Sequence, residues 1–497
     1  MLWWQNLPFL SILLCLLASA GCSLLPGRIS RHLARGVLLL CILGSASLTA
    51  GLLRSGSGAF VFWMGHFPAP WGNEIRAGVL EGVCACLFPL IMLCALTAGR
   101  GALAEGTASR RENLYDAVCM LLMSALLAQV YSNDLFTCYV FLEIMTLSAC
   151  ALIAFRNSGP SLAAAIRYMV LNLVGSGLFL LSLVLLYDLT GHLLMENLHD
   201  SVRALAADGA HHRSLTIIIA LMTVGLCVKS ALFPFHSWVP DAYSAGVPSS
   251  NAILSSLVSK GYILLLLKVY VRVFGWDTVL ASRVDLLLLG FSLAAVIYGS
   301  LAAMRAAHLS RMTAWSSVAQ IGYIFLGLGL GTGGYAAAVF HLISHAFAKS
   351  LLFLSGDRLR EAGGGSDRLA DLTGAARRDP VSAVCWSAAA LSMVGLPFTG
   401  GLVSKLLLGM EALHHSLPVR IAVLAVLALS TLLNVCYFLR TLLVLWSPGR
   451  EASPLRESGR RLFPVHAACG VLALGVLGTF LGASPLLELL TRGRAQF

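Results

Sequence analysis

Residues 225–267 read GLCVKSALFPFHSWVPDAYSAGVPSSNAILSSLVSKGYILLLL. An apolar run carries Lys229, breaks at Pro234 and Pro240, and restarts as a second apolar run with Lys260 inside it. Proline removes a backbone donor and forces a helix to stop or kink. In a bilayer such an interruption survives only where protein or water covers the freed backbone. A second stretch, SMVGLPFTGGLVSK at 392–405, repeats the design, with Pro397, Gly400 and Gly401 ahead of Lys405. Paired broken segments in corresponding positions of two halves are the mark of inverted repeats.

The rest of the chain agrees with a membrane reading. It has 497 residues, 58% hydrophobic and only 11% charged, with a mean hydropathy of +0.84; soluble domains carry about a quarter charged residues. The apolar runs are long and unbroken, which excludes the short alternating segments of a β-barrel. The expected fold is therefore an all-α polytopic membrane protein. About fourteen transmembrane segments lie near 5–25, 36–54, 77–98, 114–131, 134–155, 164–187, 214–233, 245–272, 279–301, 312–330, 334–355, 381–408, 418–446 and 463–490. Each is close to the roughly twenty residues that span a bilayer. Segments four to eight and nine to thirteen form two five-helix repeats, about 111–273 and 279–446, with the broken segment fourth in each. Residues 1–110 supply N-terminal helices and 447–497 a C-terminal one. The start, MLWWQNLPFLSILLCLLASAGC, imitates a leader with a lipobox-like end at Cys22, but no basic residue precedes its apolar run. It is read as a retained first helix.

The net charge of +11 would suit nucleic acid, but the basic residues are scattered through short loops and form no solvated domain. No nucleic-acid partner is expected. Nineteen arginines fall in or beside loops after odd-numbered segments and seven in loops after even-numbered ones. By the positive-inside rule the odd loops are cytoplasmic and both termini outside. Most of the thirteen cysteines sit in apolar runs and none forms a CxxC pair. No disulfide, iron–sulfur cluster, zinc or other cofactor is expected.

The lysines tell a separate story. The chain has only five, Lys229, Lys260, Lys268, Lys349 and Lys405, and all lie inside apolar stretches. A charge at the bilayer centre is costly, about 2.5–3.5 kcal/mol on insertion scales, so intramembrane charges mark function. Lysine can also release its proton when buried, whereas arginine stays charged. Glu143 is placed the same way, inside YVFLEIMTLSACALIAF. One reading makes it a structural glutamate bonded to a neighbouring helix. The other makes it the partner that sets the protonation of Lys229, since an opposite charge close by holds a lysine charged and its withdrawal favours the neutral amine. Ser255, Ser256 and Ser259 make the Lys260 face wettable. Lys268, nearer the segment end, is expected to snorkel to the interface. In HLISHAFAKSLLF, His341, His345 and Lys349 recur at i, i+4 and i+8 on one helix face. A metal pair, a buried structural stripe and a proton relay are the three readings. The metal pair lacks an HExxH context, and the neutral-range chemistry of histidine suits relay. His236 and Asp241, bracketed by prolines, form either a proton inlet or a rigid amphipathic turn. The expected line is Glu143, Lys229, Lys260, His345 or Lys349, and Lys405.

The strings KSALFPFHSWVPDAYSAGVPSSNAILSSLVSKGYILLL, HLSRMTAWSSVAQIGYIFLGL, HLISHAFAKSLLFLSGD and GLPFTGGLVSK resemble the proton-conducting antiporter-like family over about residues 110–445. Its members include antiporter-type subunits of respiratory complex I, large subunits of Mrp-type sodium/proton antiporters, and their equivalents in membrane-bound hydrogenases and formate hydrogenlyase. The resemblance implies fourteen helices and two inverted repeats. It carries the family's functional glutamate and lysines onto Glu143, Lys229, Lys260 and Lys405, and its histidines onto His341 and His345. LFTCYVFLEIMTLSACALIAF and the lysine of segment eight look most like the D subunit of Mrp antiporters, with hydrogenase-associated homologues sharing the pattern. Tyr243 and Arg167 depart from it, where the family often has histidine and lysine. The implied partners are other membrane subunits, the lipid bilayer, and protons, with sodium as counter-ion in the antiporter reading. A self-sufficient membrane hydrolase or transferase would need a catalytic dyad near an interface, and none stands out. A scaffold that has lost conduction is at odds with the intact charged line. No redox site is visible, so any oxidoreductase activity belongs to other subunits.

Overall fold

The computed structural model describes residues 3–56, 58–64, 67, 72–99, 111–448 and 459–496. Among them twelve helices are long and apolar enough to cross a membrane. The helices at the fourteen expected segments are α1 (Leu7–Leu24), α2 (Gly27–Ser55), α3 (Val79–Ala98), α4 (Glu112–Tyr131), α5 (Leu135–Ala154), α6 (Gly159–Thr190), α7 (His212–Ser230), α8 (Pro248–Phe274), α9 (Val284–Arg305), α10 (Leu309–Gly329), α11 (Gly331–Ala362), α12 (Pro380–Val394), α13 (Leu417–Trp446) and α14 (Gly459–Leu481). A further helix, α15 (Ala483–Gln496), divides what the sequence offers as one long last segment. The chain is a polytopic all-α membrane protein. The two expected segments that fall outside the twelve do so for physical reasons. α10 carries Arg311, Thr313, Ser316, Ser317 and Gln320, and α12 is cut short by its break. Arg100, Arg110, Arg450 and Arg456 of the loop count lie outside the described residues.

Burial orders the helices from rim to centre. In their most apolar windows α8 is 100% and α11 94% buried within the protein, against 28% for the first helix and 33% for α2. The halves meet where the start of α8 packs on α11 and the continuation of α7 packs on α10. α14 lies across α11 and α3, tying the C-terminal helices to the N-terminal ones. Cys22 is buried, its thiol donating to the Ser30 carbonyl at 3.5 Å. One element escapes an all-helix reading. Ala59–Trp63 pairs antiparallel with Glu74–Gly78, in register Ala59↔Gly78.

Both predicted breaks are present. α7 stops at Ser230, Ala231 turns left-handed with φ of 63°, and the helix resumes at Val239–Ala245. α12 stops at Val394, Gly395 turns left-handed with φ of 87°, and the helix resumes at Gly400–Ala412. Gly401 is there for space, since a Cβ would lie 1.7 Å from the Ser392 carbonyl oxygen.

α8 is not uniformly α-helical. Leu254–Val258 and Val269–Phe274 are π-helical, and the α-helical turns between them run from Ser259 to Lys268. Such i→i+5 segments loosen the backbone ladder and recur at functional sites.

Candidate functional site

The first break delivers Lys229 to α5. Its Nζ lies 3.4 Å from Glu143 Oε1 and donates to Thr146 Oγ1 at 2.8 Å, with the Tyr262 ring centroid 5.3 Å away. Thr146 is one turn beyond Glu143 on the same helix, so one face of α5 offers both a charge and a hydroxyl. Ser176 of α6 donates to the same Glu143 oxygen. Lys229 is fully buried, whereas the Glu143 side chain keeps 25% of its exposure. Thr146, Tyr262 and Tyr168 continue as a hydroxyl chain at 3.1 and 3.2 Å.

Lys260 is buried without a carboxylate. Its Nζ donates to the Ser255 carbonyl at 2.6 Å and to Ser259 Oγ at 3.2 Å. That carbonyl lies in the π-helical turn and also accepts from Ser259 Oγ at 3.0 Å. The Ser255 hydroxyl meets Ser317 Oγ of α10 at 3.1 Å, which carries the polar line from the first half into the second. Next to Ser317, Ser316 accepts from Lys349, and Lys349 also donates to the Thr313 carbonyl at 3.0 Å. Lys349, His345 and His341 climb α11. Their burial is complete or nearly so, and the two imidazole centroids lie 6.0 Å apart. His341 Nδ1 sits 2.8 Å from Ser404 Oγ, the neighbour of Lys405.

Lys405 closes the series. From the second half of the broken helix it reaches back to the carbonyls that the break leaves open, Val394 O at 2.6 Å and Met393 O at 3.3 Å. Thr431 Oγ1 accepts at 3.3 Å, and the Tyr323 ring lies 5.3 Å away. The end of a helix carries about half a negative charge in its unsatisfied carbonyls, which suits an ammonium.

The Glu143–Lys229 pair, Lys260, Lys349, His345, His341 and Lys405 thus all fall within the helix bundle, with Ser255–Ser317 and His341–Ser404 as contacts between helices. Several buried polar atoms on α8, α10 and α11 meet no protein partner: both nitrogens of His345, Nε2 of His341, both amide atoms of Gln320, and the hydroxyls of Ser256, Ser344 and Ser350. Buried polar groups are costly unless hydrogen-bonded, and where room exists water supplies the bond. Thr146, Ser317, Gln320, Ser404 and Tyr323 were not singled out from sequence. The signal for α10 was available, because Thr313, Ser316, Ser317 and Gln320 recur every three or four residues and so share a face.

His236 and Asp241 take different surroundings. His236 is boxed by the rings of Phe233, Tyr298 and Trp315, with centroids at 5.3, 4.9 and 5.6 Å. Asp241 pairs with Arg167 of α6 and with Arg311 of α10 at 3.2 Å, so it bridges the halves. Arg167, the departure from the family's usual lysine, is therefore half of a clamp.

Lys268 contradicts the expected snorkelling. It is fully buried and donates to the Gln129 and Ser132 carbonyls at 2.9 and 2.7 Å, at the end of α4. Protein rather than the headgroup layer supplies its acceptors. Near this end of α8, Arg272 pairs with buried Glu81 in the first turn of α3.

Residues 132–433 match the family described as "NADH:quinone oxidoreductase/Mrp antiporter, TM". The chain belongs to that family. It is 34% identical to NADH-quinone oxidoreductase subunit N of Desulforudis audaxviator (strain MP104C), over 96% of this chain and 95% of that one. The solved Mrp complex from Dietzia sp. DQ12-45-1b contains a chain with the same fold, at TM-score 0.87 and 24% identity, covering 100% of this chain and 98% of that one. A chain of an archaeal membrane-bound sulfane sulfur reductase, a respiratory membrane complex, superposes with TM-score 0.86 at 24% identity, covering 99% and 97%. At that identity the two structures speak for the fold.

Proposed function

We propose that this chain is a proton-translocating membrane subunit of a redox-driven respiratory complex of the NADH:quinone oxidoreductase kind. The observation that carries the translocation is the Glu143–Lys229 pair, an ion pair inside the membrane that continues into an interior series of lysines, histidines and hydroxyls. The preference for a redox-driven complex rests on the relative named NADH-quinone oxidoreductase subunit N, which matches nearly end to end. This departs from the D-subunit likeness drawn from the Glu143 stretch, which keeps an Mrp-type sodium/proton antiporter as the second reading.

In the proposed cycle Glu143 holds Lys229 protonated while the two are close. Moving or neutralising Glu143 leaves a desolvated ammonium, and the neutral amine becomes the favoured form. The proton passes laterally through Lys260, Lys349 and the α11 histidines to Lys405. His236 and Asp241 stand at the proton inlet, and the two repeats are 111–273 and 279–446. Electron transfer belongs to other subunits.

The two readings separate in membrane vesicles holding the intact complex. Acidification driven by a reduced electron donor and quinone, unaffected by sodium, supports the redox reading. A pH change driven by a sodium gradient alone, without donor, replaces it with the antiporter reading. The chain is placed in the plasma membrane of a prokaryote with the odd loops cytoplasmic and both termini outside. Cysteines introduced at Ser366 and Gln5 report this: Ser366 should react only from the cytoplasmic side and Gln5 only from the outside. The reverse pattern overturns the arginine-based orientation.

A further inference from the structure

One cleft remains unassigned by this reading. It encloses about 430 Å³ between the end of α9 and the start of α10, and its rim carries Arg305, His308 and Arg311 with no acidic residue in its lining. Its wall is Tyr298, Leu301, Ala302 and Trp315, apolar or aromatic down one side. Depth follows from helix geometry. α9 has 22 residues, about 33 Å at 1.5 Å each, enough to cross the hydrocarbon layer, so Arg305 at its end lies at headgroup level. Tyr298 is two turns deeper, about 10 Å, and is 47% exposed on the outer flank.

The loop at the rim is built rather than loose. Leu309 N donates to the Asp367 carbonyl at 2.9 Å, and Ser310 N and Oγ both donate to the Asp367 carboxylate. Asp367 is thereby occupied by Ser310. Behind the rings of Tyr298 and Trp315 stands His236, 7% exposed, whose Nδ1 meets no protein partner. Arg311 sends Nη2 to Asp241, and a guanidinium has five N–H groups in a fork suited to phosphate.

We infer that this cleft is a phosphate-ester site that holds the headgroup of an anionic phospholipid. Arg305, His308 and Arg311 take the phosphate, and an acyl chain runs down Leu301, Ala302 and Tyr298. The open apolar flank favours a lipid over a free phosphate ester, whose uncharged remainder would be left against hydrocarbon. Because the headgroup shares Arg311 with Asp241, lipid occupancy and the clamp between the halves are linked.

The test measures association of spin-labelled phosphatidylglycerol with the purified intact complex in phosphatidylcholine vesicles, independently of transport. Arg305→Gln and Arg311→Gln should each weaken it by about fivefold, the effect of one basic residue near a membrane surface. Arg54→Gln, at the exposed end of α2, should not. Inorganic phosphate in the buffer separates the sources. If it leaves the bound lipid in place, the lipid assignment stands. If it displaces the lipid, the occupant is a soluble phosphate and the lipid assignment falls. Unchanged association in both cleft variants overturns the site altogether.

Discussion

Lys229 and Lys405 each stand beside a helix break, buried, with a tyrosine ring centroid 5.3 Å from the amine. Their remaining partners differ. Lys229 sits just before its break and faces a carboxylate on another helix. Lys405 sits just after its break and faces the carbonyls of its own first half. A carboxylate can be protonated or swung away while every helix stays put. A pair of carbonyls cannot be withdrawn unless the half-helix or the lysine itself moves. The first lysine is therefore held by something able to switch, the second by something fixed in the fold, and the contrast can be broken in four places.

The largest effect belongs to Glu143. In the proposed cycle Glu143 sets the protonation of Lys229, so Glu143→Ala should reduce proton transport by on the order of 1,000-fold, within the range of a lost proton-transfer group, with assembly intact. Glu143→Asp should keep part of the rate, since the charge stays and the reach shortens. Near-normal rates of pH change in vesicles carrying the alanine variant would end the switch reading. Lys405 comes next. Arginine preserves the charge against Val394 and Met393 but cannot release a proton. Lys405→Arg should then fall nearly as far as Lys405→Ala, on the order of 100-fold, the scale of a lost positioned proton donor. Substantial rescue by arginine would make Lys405 a fixed countercharge.

Lys268 should behave as neither. Its two carbonyl acceptors are enclosed, so Lys268→Arg overpacks the site and should destabilise by about 1–3 kcal/mol. Denaturation of the purified chain in detergent would show that loss, while the rate per assembled complex stays near normal. A collapse of rate at full stability would move Lys268 into the transport line. The smallest effect is at the first break itself. Ala231 holds a left-handed φ of 63°, where glycine sits without the Cβ penalty. Ala231→Gly should stabilise by about 1 kcal/mol, whereas Gly401→Ala should damage the second break, because its Cβ would strike the Ser392 carbonyl.

How much of this the residues announce depends on range. The crossing plan is legible because apolar run length is a local property, and both breaks are legible because proline and glycine act on their own backbone. The pairing of Glu143 with Lys229 is suggested by two intramembrane charges of opposite sign in segments five and seven. The fate of Lys268 does not, since its acceptors lie at Gln129 and Ser132, far off in sequence, and position near a segment end says nothing about them. The π-helical turns of α8 are equally silent, because runs such as LSSLV and VYVRVF fit either winding. The Ala59–Trp63 hairpin hid inside a loop between spans. Gln320 lacks charge, so a search for ionisable residues passes over it.

The Ser255–Ser317 contact has one further consequence. The Ser317 hydroxyl also donates to the Thr313 carbonyl at 3.1 Å, so with that bond made Ser255 is the donor across the 3.1 Å contact, and reversing the contact gives up the Thr313 bond. A proton relayed across it leaves the pair pointing backwards. Until both hydroxyls rotate, a second proton cannot follow in the same direction. If the proposed lateral path crosses here, the bridge is a turnstile with a one-bit memory: it admits protons singly and must turn back between passages.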